Sequence, residues 1–445
     1  MEYSEDWYPE RQREWQHKRL LQLAESAREG CRHYREAFEH IDFLEMKNAS
    51  LYDSLAMLPL LGKAALKEDL DAFLNQSIRR YSESSTSGST GMPTRVEHDL
   101  ASIQRRFAFQ ADHIRHAGGA GILEPSVRLS GRLVAPPGRK VAKPWVYNAA
   151  EQQLFVSSYH LDDDHAWAIC RRVEHLQPRV IDGYPSAILQ LVRLLSRSPK
   201  TLSSLKAIVT TAETLQGEVK DELQLKTKAP VLDYYSASEG LPLVQQCRAG
   251  VYHVRWQSGI LEVLTPDGVS DEGDGEIVAT SFVQDRTPLI RYRTGDLVSG
   301  LKQQELATCT CGLTTPTVEG VVGRVEDLIY TPDGRALGMF TYRTLKYVDG
   351  LRESQVIQRE YDRFQLRAVL VPGFDEATVS QAVKNSFERV LGYNIRLDTE
   401  IVEILPKGPN GKVSLVMSHV ARKREKPITV TYGKSSTAVC EGDDG

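Results

Sequence analysis

Residues Ser84 to Arg95 form a short stretch of small hydrogen-bonding residues. The stretch reads S-S-T-S-G-S-T-G-M-P-T-R and holds seven Ser or Thr hydroxyls and two glycines. Small side chains let the backbone approach a ligand closely, and hydroxyls and main-chain N–H groups donate hydrogen bonds to phosphate oxygens. No lysine follows Gly91, so the G-x-x-x-x-G-K-[ST] phosphate loop is absent. The composition therefore predicts either a polyphosphate-binding loop of another kind or a flexible surface linker.

A second candidate site follows an apolar run that ends in two tyrosines. The run L-D-Y-Y-S-A-S-E-G, from Leu232 to Gly240, places a small-residue turn and a carboxylate directly after a predicted strand. In open α/β sheets, ligands bind at the carboxyl ends of strands. The ring of Tyr235 can stack on a heterocycle, and Ser238 and Glu239 offer hard oxygen ligands for Mg²⁺. An ordinary strand and turn with an exposed Glu239 is the alternative.

A third candidate is the segment Y-R-T-G-D, which places Asp296 behind a Thr-Gly turn. An ionised carboxylate has two acceptor oxygens, so Asp296 can accept hydrogen bonds from both hydroxyls of a ribose. Arg324, which follows a glycine, can add a ribose or phosphate contact. Taken singly, both segments also occur as ordinary surface turns.

Cysteine and histidine residues form two short clusters. Cys247 and His253 make up the first, and Cys309 and Cys311 the second. Three thiols and an imidazole are a known ligand set for a closed tetrahedral zinc site. The spacings differ from those of common zinc fingers, so buried free cysteines are the alternative.

Alternating strand and helix patterns in the middle of the chain must position these groups. Apolar runs at 179–182, 207–210 and 231–235 alternate with helical patterns such as 186–195. This alternation predicts an α/β fold with a parallel sheet covered by helices. The segments 248–264 and 275–282 instead predict antiparallel strands joined by tight turns, and therefore a β sub-domain.

The two ends of the chain differ from this central part. Residues 11–40 have apolar positions at helical spacing and predict an N-terminal helix packed on the body. After about residue 325, a strand pair at 356–371 and a helix at 376–392 predict a small α+β unit. We therefore predict a large N-terminal domain at 1–325, a small mobile C-terminal domain at 326–424 and a flexible tail at 425–445.

The composition excludes several classes of function. A chain of 445 residues is long enough for two or more compact units, and its net charge of −4 gives no reason to expect nucleic acid or an anionic membrane as a partner. No apolar run reaches the roughly 20 residues that a membrane span needs. The charged N-terminus predicts no secretory signal, and six cysteines in a chain of this size predict no disulfide framework. We expect a cytoplasmic setting.

The order of the candidate segments resembles that of the adenylate-forming superfamily, which includes the acyl-CoA synthetases. The hydroxyl-rich loop, the aromatic turn with its Glu, Y-R-T-G-D, G-R-x-E-D and a late G-K follow one another in this order. Within the superfamily the chain is most similar to the phenylacetate–CoA ligase branch and its CapK-like members, because Thr94 stands where most of the superfamily has lysine. The segments 128–132, 157–161 and 181–186 also fit that branch. The resemblance covers about residues 20 to 420.

The resemblance implies a binding site for ATP and for an acyl group. The implied phosphate contacts are Thr86, Ser87, Gly88, Ser89, Thr90 and Gly91. The other implied contacts to ATP or AMP are Ala212, Glu213, Tyr235, Ser236, Ser238, Asp296 and Arg324, and Glu239 and Ser238 are implied to hold Mg²⁺. The implied acyl pocket contains His160, Tyr184, Ala212 and Tyr234. For His160 and Tyr184 ordinary packing is the alternative.

The resemblance also implies a catalytic lysine and a hinge. Lys412 and Glu239 are the implied catalytic residues, and Lys412 would bridge the substrate carboxylate and the α-phosphate. Lys407 is the rival for this role. The C-terminal domain of the superfamily rotates about a hinge that maps onto Glu326, where Asp is more usual.

The implied reaction is attack of a carboxylate on ATP to give an acyl-adenylate and pyrophosphate, followed by transfer of the acyl group to a thiol. We expect a small aromatic or related acid, and coenzyme A or a carrier-protein pantetheine as acceptor. Mg²⁺ is the expected cofactor, structural Zn²⁺ a further one, and a homodimer is a possible assembly. The alternatives are transfer of AMP or the acyl group to an amine or alcohol, and a non-catalytic binding module. Lys412 argues against a binding module, which does not need it.

Overall fold

The structure is a computed structural model of the whole chain. It describes residues 7–85, 94–118, 123–132, 134, 141, 143–161, 163–197, 199–265, 267–303, 309–324, 329–332, 336–337, 340–345, 348–406 and 413–420. Of these, positions 163, 197, 199, 200, 322, 324, 336, 342 and 343 are described by their backbone alone.

Helices are concentrated at the N-terminus and between the strands of the central part. The α-helices are α1 (Pro9–Gly30), α2 (Arg32–Ala37), α3 (Phe43–Asn48), α4 (Leu51–Ala56), α5 (Lys63–Glu68), α6 (Leu100–His116), α7 (Asp163–Leu176), α8 (Pro185–Leu194), α9 (Pro199–Ser203), α10 (Gly217–Thr227), α11 (Phe340–Leu345) and α12 (Glu376–Leu391).

Strands occupy most of the chain after α6. They are β1 (Ser82–Ser85), β2 (Arg95–His98), β3 (Ser126–Ser130), β4 (Trp145–Asn148), β5 (Gln153–Ser157), β6 (Val180–Gly183), β7 (Ala207–Thr211), β8 (Val231–Tyr235), β9 (Val244–Gln246), β10 (Tyr252–Val254), β11 (Gly259–Thr265), β12 (Gly268–Ser270), β13 (Gly273–Ser281), β14 (Tyr292–Leu301), β15 (Thr317–Val318), β16 (Gly320–Arg324), β17 (Ile329–Tyr330), β18 (Ala336–Leu337), β19 (Leu351–Glu360), β20 (Arg363–Leu370), β21 (Arg396–Ile401) and β22 (Val416–Ser418).

The largest sheet in the described part of the chain has nine strands in the order β15-β10-β9-β8-β7-β6-β3-β5-β4. Strands β8, β7, β6, β3 and β5 run parallel, and the strands at both ends are antiparallel. The register aligns Val127, Ile181, Ile208 and Val231 in one row across the sheet. This row packs under α8 and α10 as one buried cluster, and α6 covers the opposite face. The predicted parallel sheet between helices is therefore confirmed.

A second sheet, of five antiparallel strands in the order β12-β11-β13-β14-β16 within the described residues, confirms the predicted β sub-domain. The first helices cover it, since Leu20, Leu23 and Ala27 of α1 belong to the same buried cluster as Val263 and Ile277 of the sheet. The prediction of one helix over 11–40 was wrong in detail, because the chain extends at Cys31 between α1 and α2. The side chain of Asn75 lies against Gly30, where any larger residue would collide with it.

The hairpin β1-β2 carries the hydroxyl-rich stretch between its strands. Ser82 to Ser85 pair antiparallel with Arg95 to His98. The loop between β13 and β14 fixes β2, because Thr287 exchanges two hydrogen bonds with the backbone of Glu97 at 3.0 and 2.9 Å. A buried ion pair of 3.0 Å joins the side chains of Arg286 and Glu97. Both ends of the stretch are therefore anchored to the body.

The C-terminal part forms a separate α+β unit. Strands β19 and β20 pair antiparallel, as the sequence predicted, and β22 and β21 add parallel strands on either side. Helix α12 packs on this sheet through Val379, Val383 and Phe387. The tail at 425–445 lies outside the described residues, and the domain boundaries stay predictions.

The α/β fold class with a β sub-domain and a smaller C-terminal unit is confirmed. Among the helices within the described ranges, none combines the length and the apolar composition that a bilayer span requires.

Gly183, the last residue of β6, tests how tightly this sheet edge is packed. Its φ is +137°, and a Cβ there would lie 1.8 Å from the carbonyl oxygen of Leu129 on β3. We expect Gly183→Ala to lower the free energy of unfolding by about 3 kcal/mol, because backbone must move and an L-residue is strained at this φ. Urea unfolding measures the change.

Gly217→Ala is the matched control. Gly217 begins α10 and has no atom within 4 Å of a built Cβ. This substitution should leave stability unchanged or raise it by up to about 1 kcal/mol. Equal unfolding midpoints for the two variants would show that the β3–β6 contact is not tight.

Candidate active site

The residues predicted for the site follow parallel strands that end at one edge of the nine-stranded sheet. His160 comes after β5, Tyr184 after β6, Ala212 and Glu213 after β7, and the turn 236–240 after β8. Because parallel strands present their carboxyl ends to the same edge, the fold collects these segments on one rim. Ala212 has a φ of +68°, unusual for a residue with a Cβ, so the chain turns sharply there.

Glu213 links three segments of the chain. Its carboxylate accepts hydrogen bonds from the backbone N–H and the hydroxyl of Ser186, at 3.1 and 3.0 Å. Ser186 lies in the first turn of α8, where a carboxylate is favoured by the exposed N–H groups and the helix dipole. Glu213 also accepts from the backbone N–H of Val413 at 2.9 Å. The residue predicted as an adenine contact thus also ties the C-terminal unit to α8.

Tyr235 and Asp296 join the two sheets. The hydroxyl of Tyr235, at the end of β8, donates to the carboxylate of Asp296 on β14 at 2.8 Å. Burial, and then the charge of Asp296, raises the pKa of Tyr235 well above its usual value. The hydroxyl therefore remains a donor over the whole physiological pH range. The structure brings together an aromatic ring and a carboxylate that lie 61 positions apart in the sequence.

Asp296 is held by its own turn. The Thr294 hydroxyl donates to the carbonyl of Ile277 at 3.1 Å and accepts from the backbone N–H of Asp296 at 3.0 Å. In the sheet, Asp296 is paired with Arg324 of β16. The predicted ribose-binding pair therefore shares one register position, although only the backbone of Arg324 is described.

The turn after β8 is tied to the base of the hydroxyl-rich stretch. The hydroxyl of Ser84, on β1, donates to the carbonyl of Ser238 at 2.9 Å and lies 2.7 Å from Nε2 of His98. Burial and the nearby Arg106 guanidinium lower the pKa of His98 to about 4, so this imidazole is neutral near pH 7. The loop predicted to bind phosphate thus begins beside the turn predicted to hold Mg²⁺.

Glu239 is buried, with 4% of its surface exposed, so the alternative of an exposed turn residue is wrong. The amide of Gln284 lies 3.4 Å from the Glu239 carbonyl and 2.8 Å from Nδ1 of His98. Gly240 turns the chain with a φ of +83°. Ser236 is half-buried and Ser238 exposed in the same turn. A buried carboxylate at a ligand-binding edge fits a hard cation such as Mg²⁺.

Several predicted residues cannot be placed. Thr86, Ser87, Gly88, Ser89, Thr90, Gly91, Glu326, Lys407 and Lys412 lie outside the described residues. The nearest described neighbour of Lys412 is Val413, whose N–H donates to Glu213.

His160, which was predicted for the acyl pocket, lies just after β5. It is buried, with 1% of its surface exposed, and neither ring nitrogen has a hydrogen-bond partner among the described residues. The ring of His165 packs edge-on against it at 5.0 Å. A buried polar group without a partner costs about 1–3 kcal/mol. A ligand with a donor or acceptor would remove this cost, which ordinary packing does not.

The four predicted zinc ligands come together. The ligand atoms of Cys247, His253, Cys309 and Cys311 all lie within 4.8 Å of one another. The Cys247 and Cys309 sulfurs are 3.8 Å apart, and the Cys311 sulfur is 3.4 Å from Nε2 of His253. Sulfurs on a tetrahedron with Zn–S bonds of about 2.3 Å lie about 3.8 Å apart. Nδ1 of His253 lies 3.1 Å from the Thr315 hydroxyl, which orients the ring as metal-bound histidines require.

Charged residues connect the C-terminal unit to the helices beneath the site. Arg193 of α8 contacts Glu222 of α10 at 2.9 Å and Glu353 of β19 at 3.4 Å. Arg352 of β19 lies 3.6 Å from Glu222. Arg193, Arg352 and Glu222 are partly exposed, whereas Glu353 is buried, with 6% of its surface exposed. These ion pairs fix the position of β19 against α8 and α10.

Sequence reasoning missed Arg106, His98 and Gln284, which surround the turn 236–240. Arg106 and Arg105 are adjacent and of the same type, so the sequence offers no signal for choosing between them. His98 ends the strand that follows the hydroxyl-rich stretch, and this position could have indicated that it lies near the candidate site. No sequence pattern marks Gln284, because it lies on a loop 186 positions away from His98 in the sequence and only the fold brings the two together.

Comparisons with known proteins agree with this architecture. The family described as the CapK C-terminal domain matches residues 329–419. The chain is 23% identical to Protein CapK of Staphylococcus aureus over 82% of this chain and 81% of that protein. It is 24% identical to a phenylacetate-coenzyme A ligase of Thermus thermophilus over 95% of this chain and 91% of that protein.

A solved structure shares the fold over nearly the whole chain. It is 2-hydroxyisobutyryl-CoA ligase in the postadenylation state, in complex with R3-HIB-AMP. The TM-score is 0.66 at 18% identity, covering 95% of this chain and 90% of the ligase. At this identity the likeness establishes the fold alone.

We expect Glu213→Ala to weaken the attachment of residues 413–420, which follow Lys407 and Lys412. The substitution removes the acceptor for the Val413 N–H. A hydrogen bond to a charged group contributes about 1.5–3 kcal/mol, so amide exchange at 413–420 should rise about tenfold or more. Hydrogen-exchange mass spectrometry measures this. Glu218→Ala, at an exposed position on neighbouring α10, is the control. Equal exchange in both variants would contradict the link.

Proposed function

Because this chain belongs to the adenylate-forming superfamily, in the branch that contains CapK and the phenylacetate–CoA ligases, we propose that it activates a small carboxylic acid with ATP and transfers the acyl group to a thiol. The observation that carries the proposal is the pairing of Tyr235 with Asp296 beside the buried Glu239. An aromatic ring, a ribose-binding carboxylate and a metal-binding carboxylate at one sheet edge suit a nucleotide.

In the first step, an oxygen of the substrate carboxylate attacks the α-phosphorus of ATP. The bond to the bridging oxygen of the β-phosphate breaks, and pyrophosphate leaves. Reactions of this type depend mostly on positioning and on neutralising phosphate charge. We assign the nucleoside to Tyr235 and Asp296 and the phosphates to residues 86–91. Glu239 would hold Mg²⁺, which would supply positive charge to the phosphates, and Lys412 bridges the carboxylate and the α-phosphate.

In the second step, a thiol attacks the acyl carbonyl and AMP leaves with the electron pair of the broken C–O bond. The acceptor is coenzyme A or the pantetheine of a carrier protein. The C-terminal unit reorients between the steps about Glu326. The contacts of Arg193 and Arg352 with Glu222 and Glu353 support this, because water can solvate their charges once the two units move apart.

The acid is a small aromatic or related carboxylate bound near His160 and Tyr184. The ring nitrogens of His160 have no partner among the described residues, so the acid should present a polar group to them. A panel of aromatic and aliphatic acids, with and without a hydroxyl or amino substituent, tests this in a pyrophosphate-release assay. No acid-dependent pyrophosphate release or hydroxamate formation from any acid would favour a non-catalytic binding module.

Lys412→Ala should abolish adenylation, because the residue supplies the charge that bridges carboxylate and α-phosphate. Thioester formation from a preformed acyl-adenylate should persist, because that step does not use the same charge. We expect pyrophosphate release to fall by about 10²-fold or more. Lys407→Ala is the matched control and should retain most of the activity. Reversed results for the two variants would assign the role to Lys407.

We further propose that Cys247, His253, Cys309 and Cys311 bind a structural Zn²⁺. The mutual distances of their ligand atoms fit a closed tetrahedral site, and the Thr315 hydroxyl supports His253. The metal would fasten the segment before β15 to the β9-β10 hairpin at the end of the large sheet. A closed site of this kind has no open position for a substrate, so its role is stability.

Purified protein should contain about one zinc per chain, measured by elemental analysis. Cys311→Ser should lose the metal and unfold at a lower temperature, because metal binding contributes directly to folding. Cys170→Ser is the control, since Cys170 lies on α7 outside the cluster. Zinc-free wild-type protein with unchanged stability after chelation would refute the site.

A further inference from the structure

The hydroxyl-rich stretch carries little positive charge of its own. No Lys or Arg occurs from Tyr81 to Thr94. Arg95, the first cation after the stretch, forms an ion pair of 2.7 Å with Glu83 across the hairpin. A bound triphosphate carries several negative charges, and hydroxyls with backbone N–H groups do not neutralise them. If the stretch binds ATP phosphates, as proposed above, the positive charge must come from outside it, and one Mg²⁺ at Glu239 would offset only two of the negative charges.

Arg106 lies on α6, close to the turn 236–240. This helix begins two residues after β2, so it starts directly behind the hydroxyl-rich hairpin. The guanidinium of Arg106 is partly buried and lies 3.4 Å from the carbonyl oxygen of Ala237. Ala237 belongs to the turn that contains Glu239. Arg106 therefore contacts the turn whose Glu239 is proposed to hold Mg²⁺, and it lies close enough to His98, at the end of β2, to lower the pKa of that imidazole.

Arg106 differs from the nearby arginines Arg105 and Arg128, which both form ion pairs. Arg105, the preceding residue, forms an ion pair of 2.6 Å with Asp285. Arg128 is paired with Asp182 at 2.7 Å. Within the described part of the chain, Arg106 pairs with no carboxylate, and its contact with the Ala237 carbonyl is at the long limit for a hydrogen bond. A partly buried guanidinium that forms no direct ion pair within the described residues can bind an anion without first breaking one.

The pKa shifts of Arg106 and its neighbour His98 also favour a bound anion. Burial lowers the pKa of Arg106, while the nearby Glu239 raises it and Arg128 lowers it further. Arg106 in turn helps to keep the pKa of His98 low, so His98 is neutral. The positive charge at this position is thus concentrated on the guanidinium, which binds phosphate oxygens through paired N–H donors.

We propose that Arg106 binds the β- and γ-phosphates of ATP and supplies the positive charge that the hydroxyl-rich stretch lacks. The proposal rests on the function proposed above, since it presupposes an ATP site at this sheet edge. It assigns Arg106 to the pyrophosphate that leaves in the first step. Arg106 therefore contributes to ATP binding and has no part in holding AMP or the acyl group.

Binding of ATP and of AMP, measured separately by calorimetry with Mg²⁺ present, tests the proposal without knowledge of the acid. Arg106→Gln should weaken ATP binding about tenfold or more, because a hydrogen-bonded charge pair is lost, and should change AMP binding less than about twofold. Arg106→Lys should restore part of the ATP affinity, since it keeps the charge but not the paired donors. Arg105→Gln is the matched control and should leave both affinities unchanged.

The outcomes separate this proposal from the function on which it rests. Wild-type protein that binds neither nucleotide would refute the ATP site itself, and the role of Arg106 with it. Wild-type protein that binds ATP, with Arg106→Gln equally tight, would overturn the role of Arg106 alone. Equal losses of ATP and AMP affinity would also overturn it, because they would indicate a disturbed turn 236–240. If Arg106→Gln does not fold, Arg106→Lys decides by the same comparison of the two nucleotides.

Discussion

The hydrogen bond between the Tyr235 hydroxyl and the Asp296 carboxylate is the contact on which the site depends. It connects the end of a parallel strand in the nine-stranded sheet to a strand of the five-stranded sheet. Because the pKa of Tyr235 is raised by burial and by Asp296, the donor does not ionise near neutral pH. The bond fixes the separation of an aromatic face and a carboxylate at the edge of the large sheet.

Two kinds of contact surround this bond. Buried contacts hold the hairpin base and the turn after β8, as in the pairing of Arg286 with Glu97 and of Gln284 with His98. Ion pairs and one hydrogen bond to Glu213 hold the C-terminal unit. Buried contacts therefore hold the carboxyl edge of the large sheet, whereas polar contacts with α8, α10 and Glu213 hold the C-terminal unit.

Much of the site could be predicted from local patterns. The strand at 231–235 was predicted with its observed bounds, so the turn that follows, with Glu239, was placed correctly. Asp296 was proposed from its Thr-Gly turn, whereas Ala212 was proposed from the family resemblance, and the roles of both stay predictions. Arg106 could not be found this way, because adjacent helical residues point about 100° apart and only packing decides which one faces the site. Gln284 was missed for a related reason, since its loop carries no local pattern.

The sequence by itself determined the order of strands, helices and turn residues, because hydrophobic periodicity and turn chemistry are local properties of the chain. It also determined which residue types stand at the strand ends, and hence the class of ligand they suit. Only the tertiary structure decided which of these residues meet. The pairing of Tyr235 with Asp296, the gathering of three cysteines with His253, and the lack of a carboxylate partner for Arg106 in the described chain all arise from contacts between distant segments. Such contacts depend on sheet order and helix packing, which local patterns do not encode.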